Sequence, residues 1–131
     1  MTQICEHPDI KSVSFVGGNA AGEYIYKTAS AHGKRAQVNM GAKNHAIVMP
    51  DCDREDTTNA LVGACYGSSG QRCMAISVVV AVGDETADKL IESIIPKINS
   101  LKIGSYNVTE VEMGPVISQA CQDKIVSFIE P

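Results

Sequence analysis

The chain has 131 residues, of which 44% are apolar and 20% charged; that balance can bury a core and excludes an unfolded, highly charged tail. A net charge of −4 with no lysine- or arginine-rich block excludes nucleic acid as the main partner. No apolar run reaches the ~20 residues a membrane helix needs, and the opening MTQICEHPDIKS carries neither a signal nor a transit pattern.

In chain order, SVSFVGG (12–18) is a short β-rich run that closes on two glycines. Residues 19–33 follow as a helix: Ala21, Ile25 and Ala29 recur at helical spacing, Asn19 can cap and Gly33 can stop it. AQVNM (36–40) and AIVMP (46–50) are two further strands joined by GAKNH. Asp51 or Asp53 then caps a helix whose first turn is acidic, in accord with the helix dipole. Ala60, Leu61, Ala64 and Cys65 form its apolar face, and Gly67 ends it. AISVVVAVG (75–83) is almost continuously apolar, as a strand covered on both faces is.

Residues 84–104 are amphipathic, with Leu90, Ile91, Ile94, Ile95, Ile98 and Leu101 on one side. Pro96 removes a backbone donor there and is expected to kink or split the helix. YNVTEVEMGPVI (106–117) reads as a loop, and a final helix starts after Ser118, with Ile125, Val126 and Ile129 as its repeat. Strands alternating with helices predict an α/β fold with a largely parallel sheet.

The chemistry concentrates in YGSSGQRCMA (66–75). Cys73 follows a small, polar, flexible lead-in and precedes a strand, so its thiol has both access and an anchored backbone. A thiolate attacks carbonyl carbon well, and amides of such a tight segment can face a developing oxyanion. Free cysteines are, however, more often inert packing residues, and the residues alone leave both readings open. The other cysteines, Cys5, Cys52, Cys65 and Cys121, read as packing thiols. Five cysteines at wide gaps, with no Cys-x-x-Cys pair, support neither a disulfide framework nor a zinc site and suit a reducing compartment. Asp51, Asp53, Glu55 and Asp56 read as a helix start, and no metal site is expected. His45 could serve as a base, but a single histidine beside a strand is more often structural. FVGGNAAG (15–22) places Gly17, Gly18 and Gly22 around a helix start, which offers free N–H groups to a phosphate. Its spacing matches neither the dinucleotide fingerprint nor the P-loop, and most such glycine turns are plain connections.

Together these pieces resemble the aldehyde dehydrogenase superfamily along essentially the whole chain. SVSFVGGNAAG looks like its pyrophosphate-holding strand and helix, YGSSGQRCMAIS fits its cysteine signature, and EMGPVIS looks like its later Gly-Pro turn. The resemblance implies that Cys73 is the nucleophile and that Gly17, Gly18 and Gly22 lie at the pyrophosphate of NAD. It further implies that residues 1–35 are the C-terminal part of an NAD-binding domain and residues 36–131 the N-terminal part of a catalytic domain. Where most members carry a water-activating glutamate, VNMGAKNH has Asn39. An amide cannot take a proton from water at neutral pH, so coenzyme A is expected to finish the reaction. NMGAKNH with GQRCMA is similar to the methylmalonate-semialdehyde dehydrogenase branch, which releases acyl-CoA and serves valine catabolism. That branch acts on carboxylate-bearing semialdehydes, and Arg72 is then expected to pair with the substrate carboxylate.

The chain reads as an internal fragment of such an enzyme, expected to be inactive alone. The full-length enzyme is expected to be a homo-oligomer with a small-molecule substrate, in the mitochondrial matrix of a eukaryote or otherwise in the cytoplasm. Two alternatives stay open: a hydrolytic NAD-dependent aldehyde dehydrogenase, and a catalytically inactive fragment or interaction module.

Overall fold

The computed structural model describes residues 1–130. The chain forms two compact units, Met1–Ala42 and Lys43–Pro131.

The first unit holds helix α1 (Thr2–Glu6), strand β1 (Ser12–Val16), helix α2 (Asn19–Ala31) and strand β2 (Arg35–Asn39). β1 and β2 are parallel, in a register that runs from Ser12 opposite Arg35 to Val16 opposite Asn39. Parallel neighbours need a crossover, and α2 supplies it. The helix ends where Gly33 takes φ +67°. There the Gly33 N–H reaches the Ser30 carbonyl and the Lys34 N–H reaches the Ala29 carbonyl, the paired closure that a left-handed glycine permits. Cys5, Ile25 and Ala29 form the buried core, with Val13, Phe15, Ala36 and Val38 packed against it.

Two expectations change here. Ala21 is exposed and Gly22 is buried in its place, because the helix approaches β2 through its smallest residue. Lys34 is buried, and its Nζ donates to the carbonyls of His7 and Ile10. The ammonium thereby satisfies the segment after α1, a short helix absent from the sequence expectation.

The second unit holds strand β3 (Asn44–Val48), helix α3 (Arg54–Tyr66), strand β4 (Ile76–Ala81), helix α4 (Asp84–Ser100) and helix α5 (Gln119–Ile129). β3 and β4 are parallel, with α3 between them in the chain. The ladder pairs Asn44 with Ile76 but His45 with Val78, so a bulge interrupts it at Ser77. Asp53 caps α3, accepting from the Asp56 N–H at 2.9 Å, and Glu55 and Asp56 fill the first turn. The buried face of α3 is Thr58 and Leu61, while Ala60 is exposed. The Thr58 hydroxyl lies 2.6 Å from the Arg54 carbonyl and 3.1 Å from Ser93 Oγ on α4, so a polar residue is satisfied at the α3–α4 contact.

α4 runs through Pro96 without dividing; the proline is exposed, where the unpaired carbonyl it leaves can meet water. Leu90, Ile94, Ile98 and Leu101 are half-buried, whereas Ile91 and Ile95 are exposed. The 101–118 segment makes one bridge, Ile103 to Met113. Ser118 caps α5 by accepting from the Cys121 N–H. Alternating parallel strands and helices give the α/β architecture expected.

Candidate active site

Cys73 sits at an exposed turn immediately before β4. Its approach is unusual in backbone terms. α3 passes into a 3-10 turn over Gly67–Gly70, in which Ser68 and Ser69 take φ +52° and +53° and Gly70 takes +70°. Left-handed conformations cost non-glycine residues roughly 1–2 kcal/mol each, so the surrounding contacts must hold them.

Those contacts come from several directions. Ser69 Oγ donates to the Gly114 carbonyl, and Gln71 Oε1 accepts from the Ile117 N–H at 2.9 Å; both tie the cysteine loop to the segment around the Gly-Pro turn. Arg72 folds back on α3, its Nη2 donating to the carbonyls of Gly63 at 2.6 Å and Ala64 at 3.2 Å. Both carbonyls belong to the last turn of α3, where that of Gly63 also accepts from the Gly67 N–H. Gly67 makes room for this, since a Cβ there would stand 2.5 Å from Arg72 Nη2. The Ala75 N–H closes the turn onto the Arg72 carbonyl at 3.1 Å. Asn44 Nδ2 donates to the carbonyls of Cys73 at 2.8 Å and Ala75 at 3.0 Å. The backbone around Cys73 is thus held on several sides while the residue stays exposed.

Arg72 and Cys73 are together here, as their adjacency requires. The supports Ser69, Gln71 and Asn44 carry no signal in spacing or periodicity, although Gln71 stands within the cysteine motif and Asn44 beside His45 in AKNH. His45 is exposed and its Nδ1 lies 2.7 Å from the Lys43 carbonyl, a local contact. Of the other thiols, Cys5 is buried, Cys65 and Cys121 are half-buried and Cys52 is exposed. Burial pushes the Cys65 thiol up from its ordinary value.

In the first unit, Gly17 and Gly18 form the turn from β1 to α2. Gly18 is the N-cap residue, and no side chain caps the helix, which leaves the first N–H groups of a 13-residue helix open. Nothing lies within 4 Å of where a Gly18 Cβ would stand, whereas a Gly17 Cβ would meet the Phe15 ring at 2.5 Å. Gly17 also donates to the Asn39 carbonyl at 3.1 Å, and Asn19 Oδ1 accepts from the Gly41 N–H at 2.8 Å. Gly22 stands differently: a Cβ there would meet Met40 at 2.6 Å and Val38 at 2.8 Å. Gly22 therefore sets how closely α2 lies on β2 and supports the turn indirectly. Asn39 ends β2, exposed, with its carbonyl occupied by Gly17.

An exposed cysteine on a clamped turn and an open helix start after a glycine turn can support covalent attack on a carbonyl and anion binding, respectively. The model of the aldehyde dehydrogenase family matches residues 1–131. Malonate-semialdehyde dehydrogenase 1 of Geobacillus thermodenitrificans is 52% identical over 97% of this chain and 26% of its own length. The mitochondrial methylmalonate-semialdehyde/malonate-semialdehyde dehydrogenase [acylating] of Bos taurus is 46% identical over 97% of this chain and 23% of its own. A Sinorhizobium meliloti crystal structure, described as a methylmalonate-semialdehyde dehydrogenase complexed with NAD, superposes with a TM-score of 0.91 at 52% identity, covering 97% of this chain and 26% of that one. The chain thus spans about a quarter of the length of these relatives. A whole-chain family match, identities near one half and a shared α/β fold agree with the cysteine and glycine motifs, and the chain belongs to the aldehyde dehydrogenase family.

Proposed function

We propose that this chain is the cysteine-bearing part of an NAD-dependent, CoA-acylating (methyl)malonate-semialdehyde dehydrogenase, with Cys73 as its nucleophile. The observation that carries the reading is the cysteine turn, in which an exposed Cys73 sits on a backbone fixed through Asn44, Gln71 and Ser69. Fixed geometry at an accessible nucleophile is what covalent attack on a carbonyl demands.

The steps follow from the residues. The Cys73 thiolate adds to the aldehyde carbon, forming a C–S bond and leaving charge on the oxygen. Bound NAD would supply the acceptor for the hydride of that carbon, and Cys73 then holds the acyl group as a thioester. The thiolate of coenzyme A then bonds to the acyl carbon as the bond to Cys73 breaks, releasing acyl-CoA and restoring the thiolate. Asn39 stands where hydrolytic members carry glutamate, and its amide cannot activate water. The acylating name of the Bos taurus relative supports this route.

The first unit suits NAD: Gly18 has open space and the uncapped start of α2 presents N–H groups to a pyrophosphate. Gly17 and Gly18 would hold it, with Gly22 seating the helix. On this reading residues 1–35 are the C-terminal part of the cofactor domain and residues 36–131 the N-terminal part of the catalytic domain. Arg72 would pair with the substrate carboxylate. Its Nη2 spends both hydrogens on α3, and three of the five guanidinium N–H donors remain for a carboxylate. A homo-oligomeric enzyme, in the mitochondrial matrix of a eukaryote or the cytoplasm of a bacterium, belongs to the same proposal; the mitochondrial name of the bovine relative supports the former.

The deciding experiment uses the full-length protein. Cys73→Ala abolishes dehydrogenase and esterase turnover while NAD binding, followed by fluorescence quenching, stays nearly intact. Turnover retained by the alanine variant removes Cys73 from the mechanism.

A further inference from the structure

The bulge in the β3–β4 ladder lies next to the cysteine turn. Asn44 pairs with Ile76, then Ser77 is skipped and His45 pairs with Val78. Bulges of this kind break the ladder and re-aim the residues beside them. Cys73 to Ala75 lie before the first pair of the ladder, and that pair, Asn44 with Ile76, is separated from the others by the skipped Ser77. The Asn44 side chain reaches the other way from the bulge, to the residues that precede Ile76. Its Nδ2 carries two hydrogens and meets two carbonyls, Cys73 at 2.8 Å and Ala75 at 3.0 Å, a full match of donors to acceptors. The opposite amide orientation would set Oδ1 against two carbonyl oxygens, so the contact defines the orientation of the carboxamide. Asn44 is itself half-buried at the first residue of β3.

From this we infer that Asn44 is a positioning residue for Cys73. Its carboxamide continues the contact with β3 past the Asn44–Ile76 pair, holds the carbonyls on both sides of Met74 and so sets where the Cys73 sulfur stands. Asn44 acts through the cysteine and does not touch substrate. This inference rests on the proposed role of Cys73 as nucleophile.

The test is rapid mixing of the full-length enzyme with NAD and malonate semialdehyde in the absence of coenzyme A, with the first turnover read as NADH. Asn44→Asp keeps the shape but offers only acceptors to two carbonyls; Asn44→Ala removes the side chain. Each is expected to lower the rate constant of the first turnover by about 10–100-fold, since misplacing a reacting atom by about 1 Å can cost that much. The NAD dissociation constant stays unchanged and so does the amplitude per folded site. Asn44→Ser, which keeps one hydroxyl donor, recovers part of the rate. A merely structural role would lower the thermal midpoint and the amplitude and leave the rate constant of the surviving sites alone. An unmodified rate constant in any folded variant lacking the donor overturns the inference. If Cys73→Ala is dead while Asn44→Asp reacts at the full rate, only this inference falls; if Cys73→Ala still turns over, the nucleophile reading falls as well. Should both Asn44→Asp and Asn44→Ala fail to fold, the Asn44→Ser rate decides, and a value equal to the unmodified enzyme counts against the clamp.

Discussion

Gly18 and Gly22 separate two functions that one glycine-rich stretch combines. A side chain at Gly18 points into open space, while one at Gly22 overlaps Met40 and Val38. Met40 can swing aside, being flexible and partly exposed, but the branched Val38 has little rotamer freedom. Gly22→Val is therefore expected to lower the stability of the full-length protein by about 1–3 kcal/mol, the range for overpacking, seen as a lower denaturant midpoint. Gly18→Val should hold its midpoint closely and raise the NAD dissociation constant, because the branched side chain stands at the open helix start. Equal midpoints for Gly22→Val and the unmodified protein would show that α2 does not lie on β2 as described. Tight NAD binding by Gly18→Val would remove the pyrophosphate from this turn.

At the scale of elements, the start of α4 shows how a helix collects charge. Asp84 and Glu85 occupy its first turn, where the dipole favours acids, and Lys89 pairs with Glu85 one turn on. The hydrogen bond from Lys89 and then its charge hold the Glu85 carboxyl below its ordinary value, with Arg54 adding a smaller pull. A depressed acid stabilises the fold above its ordinary value, and that contribution is lost as pH falls through the lowered one. Both side chains are well exposed, so the effect on stability is small; the titration itself is the sensitive readout. Carboxyl-resolved NMR should show the Glu85 midpoint rising toward the ordinary value in Lys89→Ala, and partly so in 1 M salt, where the Debye length falls to about 3 Å. The same midpoint in both proteins would mean the pair does not form in solution. α4 also shows the limit of a local rule, since Pro96 sits inside a continuous helix: the proline is exposed, and one lost hydrogen bond does not outweigh the apolar seam of Leu90, Ile94 and Ile98.

For the whole molecule, the question is what the enzyme releases, and Asn39 decides it under the proposed function. Asn39 closes β2 with its backbone tied to Gly17, so a substitution changes its chemistry more than its place. Without coenzyme A, the full-length enzyme should release about one equivalent of NADH per site and then slow, because a general base is worth roughly 10²–10⁴-fold. Coenzyme A should restore steady turnover to an acyl-CoA, and Asn39→Glu should shift product toward the free acid. Rapid release of free acid by the unmodified enzyme without coenzyme A, followed by chromatography, would favour the hydrolytic alternative. Much of this was open to reading from the residues alone. The strand–helix alternation, the Asp53 and Ser118 caps, the Gly33 stop and the small polar approach to Cys73 depend on residues within a few positions of one another, and local propensity and periodicity record such relations. Only the tertiary structure decided that Gly22 is a packing residue, that Arg72 turns to the carbonyls of Gly63 and Ala64, and that Asn44 holds the turn of a cysteine 29 positions away. Those roles come from which strand lies beside which and where a ladder skips a residue, and no spacing along the chain encodes that.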